Sequence, residues 1–591
     1  MTVSDFLREF RRRNMLRAGI LYATSVWALA QGIAQLEPVV GAPDWTARWF
    51  LVAAGIGFPF WIAFAWFYEL TPRGLRRESE VPPNASLARA TGRKLDLWII
   101  GVLTVAVVLL LTDHFALRDE PAEGPATAIP AESIAVLPLV NESGDPAGLY
   151  FSDGLSEDLI TALSRFSGLK VIGRDSSFLF RSTKDSSAVI GKKLGVAHLL
   201  EGSVRRAGGM VRISAALIDV RDGSTRWSEH YDRPYKDLFK LQDDIVAAVA
   251  SELKAKLLGG GIPVQSDRSP SGNLAAYNAY LEGQFYDRHH TESDFRRAID
   301  AYTIATRLDP RYARAWAGMA TTWDNLAANF LGGAAKQKAY AEGRNAAATA
   351  LALAPDLATA HSARGALLQD ADSDWVGAEA EYRRALELAP NSSAAKGNLA
   401  AVLATLGQLE EAAELQRQAI AADPLRADFY QNFAVYLSPL GRLDEAEHAI
   451  RSAIELQPTA VFYHAVLSTI EIRRGNAESA LEAANAEPPG LWHDVAVAQA
   501  LQIGVDGKAA NAALKSLIDK YSDLATFQIA EAYALRNDPD RMFAWLDRAL
   551  AAKDPGLQTL LYDPFLQPYA QDPRFAALCR KLNLPVPQPK D

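Results

Sequence analysis

Cysteine is nearly absent: Cys579 is the only one in 591 residues. A lone thiol excludes an intrachain disulfide framework and any metal site assembled from cysteines. An excess of charge of one sign is missing too. The 61 basic and 70 acidic side chains leave a formal charge of −9, so the chain as a whole does not attract a phosphate backbone and nucleic acid is not its main ligand. Nor is there the polar, uncharged bias of a disordered chain, since 49% of residues are hydrophobic and 22% charged. At about 150 residues per domain, a folded chain of this length holds several units.

Long charge-free runs are present at the start. Ala18 to Leu36 and Trp49 to Tyr68 carry no Asp, Glu, Lys or Arg, and each matches the roughly 20 residues needed to cross a hydrocarbon core. A shorter apolar run, Leu97 to Leu111, is bordered by Asp96 and Asp113. The hydropathy predicts a three-helix transmembrane anchor over residues 1–115, with spans near 18–36, 49–68 and 96–112. Trp45, Trp49, Trp61, Trp66, Tyr68 and Trp98 cluster toward the span ends, as in a headgroup belt. Arg8, Arg11, Arg12, Arg13 and Arg17 precede the first run, and Arg73, Arg76, Arg77, Arg89, Arg93 and Lys94 lie between the second and third. By the positive-inside bias both segments are expected in the cytoplasm, and everything after the third span in the periplasm of a bacterium. The implied location is a multi-pass inner-membrane protein. Thr24, Ser25, Gln31 and Gln35 at helical spacings suit self-association through the spans.

Residues 116–131, rich in Pro, Ala and acids, read as a linker. After it the periodicity shifts to that of a small α/β domain over residues 132–258. SIAVLPLV from Ser133 is an apolar strand, and the segment from Tyr150 places Leu155, Leu159, Ile160 and Leu163 on one helical face with Ser152 or Asp153 at its start. Two strands turning at Ala207 to Gly209, a third in TRWSEHYDR, and a helix from Asp237 to Leu257 complete it. The segments SIAVLPLVNESGD, YFSDGLSEDLITALSR, LGVAHLLEGSVRRAGGMVRISAALIDV and WSEHYDR resemble, in order and spacing, the FlgO-like or TolB N-terminal-like domain of bacterial envelope proteins. That resemblance implies a companion array of tetratricopeptide repeats and, in relatives, a cytoplasmic output module ahead of the membrane. Only about 15 residues and one basic loop would face the cytoplasm here, so direct transcriptional or cyclase output is not expected. Asp153, Glu157 and Asp158 read as carboxylates at the positive end of a helix, not as a catalytic pair. GSVRRAGG lies on a hairpin rather than between strand and helix, so it is no phosphate-cradling loop.

GGGIPVQSDRSPSGN, residues 259–273, is a flexible linker by composition. Beyond it helices dominate. Pro310, Pro355, Pro390, Pro424 and Pro458 punctuate the chain after RLDP, ALAP, ELAP, AADP and ELQP, and the last two intervals have the 34-residue period of tetratricopeptide hairpins. Counted back from each proline, small residues recur as Ala298 and Ala305, Ala378 and Ala385, Ala412 and Ala419, Ala446 and Ala453, with Tyr302, Tyr382 and Ile450 between them. Seven residues apart, paired alanines share one helical face and let a neighbour approach closely. Gly407 and Gly441 mark turns inside hairpins, and Leu331, Gly332 and Gly333 are expected to hold the surplus residues of a longer one. Residues 274–556 are thus identified as an all-α tetratricopeptide solenoid of seven or eight repeats, closed by a C-terminal cap at 557–591.

First helices of such hairpins line a concave face that binds polypeptide. Asn398 and Asn432 fall where the family uses asparagine to bond a peptide backbone, and Lys396, Gln431 and Arg364 are neighbouring candidates for the same groove. His289 and His290 point apart on a helix, and no metal, cofactor or catalytic residue is assigned. The expectation is a non-enzymatic scaffold that presents the solenoid and the α/β domain to a protein or peptide partner in the bacterial envelope, anchored in the lipid bilayer. Two alternatives stand beside it: a transmembrane signalling receptor working through a separate cytoplasmic protein, and an enzyme with its site in the α/β domain.

Overall fold

The computed structural model describes residues 22–27, 29–30, 54–55, 57–59, 61, 68–71, 74–77, 129–145, 148–253, 256–257 and 268–588. The chain divides into two units, Met1–Ala128 and Ile129–Asp591.

In the first unit, helical residues 22–27 and 29–30 meet helical residues 54–55, 57–59 and 61 through the Tyr22 hydroxyl, which donates to Ala54 O at 2.7 Å, and through the Tyr22 ring against Phe58 and Trp61. Strand β1 (Tyr68–Thr71) pairs antiparallel with β2 (Gly74–Arg77). This corrects the expected three-helix transmembrane anchor. Among the described residues no helix is long and apolar enough to cross a membrane, a task that takes about 20 residues, and Tyr68, expected to end the second span, instead opens a β-hairpin. The multi-pass inner-membrane location, the periplasmic placement and self-association through spans fall with the anchor. The third expected span, the basic segment before the first span and most of both linkers lie outside the described residues.

The second unit begins with an α/β domain. Strands β3 (Ser133–Val136) and β4 (Val140–Asn141) are followed by helix α1 (Leu149–Leu163), strands β5 (Phe166–Ser167) and β6 (Lys170–Val171), and helices α2 (Arg174–Phe178) and α3 (Ser187–Leu194). Strands β7 (His198–Ala207), β8 (Met210–Asp219) and β9 (Thr225–Pro234), helix α4 (Leu238–Glu252) and strand β10 (Lys256–Leu257) complete it. The main sheet runs β6-β3-β7-β8-β9, parallel from β6 through β7 and antiparallel from there on. β3 and β4 both pair with β7 and are separated at Pro138, which has no N–H to offer a ladder; the adjoining Leu139 N–H donates to Ser156 Oγ at 2.9 Å. Gly208 and Gly209, at φ 56° and 79°, make the tight β7–β8 turn. Leu155, Leu159 and Leu163 of α1 and Leu241, Ile245 and Val249 of α4 bury one sheet face, while Ile190 and Leu194 of α3 bury the other beneath Ala135 and Leu199. Helix α1 starts a turn earlier than the sequence suggested, with Gly148 as its N-cap, so Ser152 and Asp153 lie inside it and do not cap it.

Sixteen helices then pair into eight hairpins among the described residues. They are α5 (Leu274–Asp287) with α6 (Glu292–Leu308), α7 (Ala313–Phe330) with α8 (Gly333–Leu353), α9 (Ala358–Asp372) with α10 (Trp375–Leu388), and α11 (Ser393–Thr405) with α12 (Leu409–Ala422). There follow α13 (Ala427–Leu437) with α14 (Leu443–Leu456), α15 (Tyr463–Arg474) with α16 (Ala477–Ala486), α17 (Leu491–Gln502) with α18 (Gly507–Tyr521), and α19 (Thr526–Leu535) with α20 (Pro539–Ala552). A last helix, α21 (Pro573–Lys581), lies beyond them. All eight alanines singled out by their spacing from the prolines are fully buried. The bulky residue between them explains the glycines opposite: a Cβ on Gly283 or Gly365 would sit 2.6 or 2.8 Å from the ring of Tyr302 or Tyr382. Gly407 and Gly441 adopt φ 79° and 78° at their turns, as a helix reversal there requires. The second hairpin differs from expectation. Its surplus residues lengthen both helices, to 18 and 21 residues against 13 and 14 in the fourth hairpin, instead of forming a loop.

Asp324, on α7, is 3% exposed, and its Oδ1 has no hydrogen-bond partner. Burial, reinforced by the charge of Asp370, pushes its carboxyl up to about 8. Because the folded value lies above the unfolded one of about 3.9, the native state holds a proton that the unfolded chain releases, and stability falls as pH rises from about 4 to 8, by up to about 1.4 kcal/mol per unit. Asp324→Asn should therefore unfold with a shallower pH dependence over this window; denaturation midpoints that track those of the unaltered chain at every pH would contradict this origin.

Candidate functional site

Arg364, Asn398 and Asn432 recur one repeat apart on α9, α11 and α13, and so occupy one register position on three successive first helices. Arg364 is 3.4 Å from Glu381, whose other oxygen meets His361 Nδ1 at 2.7 Å. Asn398 is exposed and Asn432 half-buried, and neither amide has a protein partner among the described residues. Gln431 adjoins Asn432 but projects about 100° around the helix from it. Lys396 is two residues from Asn398, about 200° around α11, and faces elsewhere. The five candidates therefore do not make one set: three form a stripe, and Lys396 belongs to a seam that sequence reasoning did not foresee.

That seam joins the α/β domain to the solenoid at two places. At the first hairpin, the Tyr277 hydroxyl donates to Asp158, and Gln242 Nε2 donates to both Asp158 (3.1 Å) and Tyr277 (3.0 Å), all buried. Tyr235 donates to Asn278 at 2.6 Å, Glu157 pairs with Arg288 and Arg174, and Leu281 packs so tightly on Gly154 that a Cβ there would lie 2.5 Å from it. Glu157 and Asp158 of α1 are thus cross-domain anchors, whereas Asp153 pairs with Arg181 inside the α/β domain. Farther along, the loop entering α2 meets the loop after α12. Gly173 N–H donates to Ala422 O at 2.9 Å, Ser176 N–H to Asp423 Oδ1 at 2.8 Å, and Leu425 N–H to Ser176 Oγ at 2.8 Å. Asn391 Nδ2 donates to Ser164 O at 2.8 Å, and Arg426 lies 3.4 Å from Asp175. Burial pushes the Asp423 carboxyl up to about 6, and only a glycine fits at position 173, where a Cβ would lie 2.2 Å from Asp423 Oδ2.

One sequence signal for this docking exists. The residue before the inter-hairpin proline is Asp in RLDP and AADP, and Ala or Gln in the other three loops. Asp309 accepts from Ser269 Oγ, Ser271 N and Ser271 Oγ, and Asp423 from Ser176 N. Both aspartates catch backbone or hydroxyl of a segment upstream of the repeat array.

The C-terminal segment approaches the third to fifth hairpins from their other edge. Trp375 Nε1 donates to Leu582 O at 2.8 Å, Tyr562 stacks edge-on to Tyr436, and Leu561 lies over Gly407. It also covers the eighth hairpin, where Tyr569 donates to Ala534 O and Arg574 pairs with Asp540, each at 2.8 Å. At its base Asp563 accepts from Phe565 and Leu566 N–H, while Glu531 accepts from Gln499 at 2.6 Å. Burial and the neighbouring Asp563 charge raise the Glu531 carboxyl well above its usual range, and burial raises Asp563 as well.

Between the α/β domain and the fourth hairpin lies an open cleft of about 350 Å³, lined by Lys170 and Val171 on one side and by Asn391, Lys396 and Gln418 on the other. Among the described residues no three His, Cys, Asp or Glu side chains are grouped to hold a metal ion.

Residues 364–427 and 427–459 match tetratricopeptide repeat models. The chain therefore carries tetratricopeptide repeats, matched in its third to fifth hairpins. It is 45% identical over 146 residues to putative adenylate cyclase 3 of Rhizobium meliloti (strain 1021), a match covering 24% of this chain and 25% of that protein. The chain thus spans about a quarter of the length of this curated relative. Among solved structures it is similar to PilW, a type IV pilus biogenesis factor (19% identity, TM-score 0.32, 41% of this chain and 99% of that one). It is also similar to YrrB, a repeat protein with an unusual peptide-binding site (23%, TM-score 0.22, 30% and 87%).

Asp423→Ala removes a buried acceptor and strands the Ser176 N–H, at a cost of about 1–3 kcal/mol. Amide exchange in residues 173–178 should accelerate while that in α19 and α20 stays unchanged. Uniform acceleration across the chain would show instead that the seam does not open independently.

Proposed function

We propose that this protein is a non-catalytic docking scaffold that holds an extended polypeptide across the first helices of its third to fifth hairpins. The carrying observation is the stripe of Arg364, Asn398 and Asn432, in which two side-chain amides in repeat register have no partner of their own. An asparagine amide offers one acceptor and two donors, which matches the alternating N–H and C=O of a peptide backbone and requires no particular side chain from the guest. The tetratricopeptide matches fall on the same three hairpins. Residues 132–258 are read as a FlgO-like domain that frames this surface from one edge, with the C-terminal segment at the other. The name of the curated relative brings no cyclase activity here, because only a quarter of that protein is matched.

Screening the full chain against a displayed library of random twelve-residue peptides tests the reading. For the peptides it selects, Asn398→Ala combined with Asn432→Ala should weaken binding about tenfold or more, the loss of one or two hydrogen bonds to a desolvated backbone. Both side chains lie outside the fully buried core, so the variant should keep the parent's unfolding midpoint. Unchanged affinity for every selected peptide would move the binding surface elsewhere.

A further inference from the structure

The cleft between the α/β domain and the fourth hairpin has the chemistry of a ligand site. Lys170, at the edge of the sheet, and Lys396, in the first turn of α11, both line it, and none of its lining residues is acidic. Lys170 Nζ donates to Gly195 O at 3.1 Å, and Lys396 has no protein partner among the described residues. Burial lowers both ammonium groups below their usual range, and no carboxylate is close enough to offset it. Two partly dehydrated cations with no counter-charge attract an anion.

The rest of the lining narrows which anion. Asn391 Nδ2 is engaged with Ser164 O and Gln418 Nε2 with Glu414, while the oxygen of each amide is left to accept. Leu169, Val171 and Ala421 supply apolar wall. A phosphate gains nothing from that wall. We propose that this cleft binds a small organic anion carrying an N–H next to its carboxylate and an apolar substituent: the chemistry of an N-acyl amino acid, free or as the last residue of a polypeptide. The carboxylate lies between the two lysines, the N–H bonds an amide oxygen, and the substituent rests on Val171 and Ala421. Both domains contribute, so the bound ligand also holds the seam closed.

Isothermal titration of the full chain tests this with N-acetyl-valine, N-acetyl-valinamide, inorganic phosphate and an acetylated hexapeptide ending in valine. N-acetyl-valine should bind one to one, and the amide at least about tenfold more weakly, as the loss of a charge-assisted contact implies. Lys396→Met should weaken N-acetyl-valine by a similar factor without altering the unfolding midpoint, and Lys396→Arg should restore most of the affinity. A hexapeptide that binds as tightly as N-acetyl-valine assigns the ligand to chain ends; one that does not, while N-acetyl-valine binds, assigns it to free metabolites. The proposal is overturned by equal binding of acid and amide, by phosphate binding as tightly as N-acetyl-valine, by wild-type affinity in both Lys396→Met and Lys170→Met, or by no heat with any probe. It stands apart from the peptide stripe, because Asn398→Ala with Asn432→Ala should leave this titration unchanged.

Discussion

A helical hairpin cannot bury both of its faces by itself, and everything in the second unit follows from that deficit. Internal hairpins cover one another through alanines that leave no exposed surface, such as Ala412 and Ala446. The ends have no next repeat. At the first hairpin the uncovered side is closed by the α/β domain, whose Leu155, Leu159 and Ile245 share one continuous core with Tyr277, Leu281 and Tyr302. The eighth is closed by the C-terminal segment, whose Leu560, Leu566 and Phe575 join Phe527, Leu546 and Ala549. The α/β domain is therefore a structural end-piece as well as a neighbour, and the boundary suggested by the linker composition is not a boundary in the core.

What could be read in advance was whatever depends on a few consecutive residues. The prolines after each second helix, the alanine pairs with Tyr302, Tyr382 and Ile450 between them, and the positive φ of Gly407 and Gly441 are all set by one hairpin's internal geometry. The β7–β8 turn at Gly208 and Gly209 is of the same kind. The long second hairpin misled because a Gly-Gly pair suggests a loop, whereas Gly333 starts α8 and the helices simply extend on either side of it. The membrane reading failed for a related reason: absence of charge over a window is necessary for a span but does not specify a helix, and Tyr68 enters a strand.

The candidate site was legible only in part. Repeat register put Asn398 and Asn432 at one position, because equivalence is arithmetic on the period, and Arg364, named only as a neighbouring candidate, stands one repeat before Asn398 at the same position. Lys396 was grouped with them by proximity in sequence, which on a helix separates rather than unites side chains two apart. The seam could not be found that way, since Ser176 and Asp423 are 247 residues apart and no local pattern links them. Only the alternation of Asp with Ala or Gln before the loop prolines carried a trace of it.

Repeat arrays of this kind ordinarily behave as springs, because each hairpin touches little beyond its neighbours. Here the α/β domain grips the first hairpin through Tyr277 and the loop after the fourth through Gly173 and Ser176, spanning the arc like a string across a bow. The hairpins between those anchors cannot uncoil without breaking one of them. Curvature in that stretch becomes a fixed property of the molecule, and a polypeptide held by the third and fourth hairpins, as proposed, would meet a surface already shaped. The ordering cost that a flexible solenoid would meet at binding has been met here during folding.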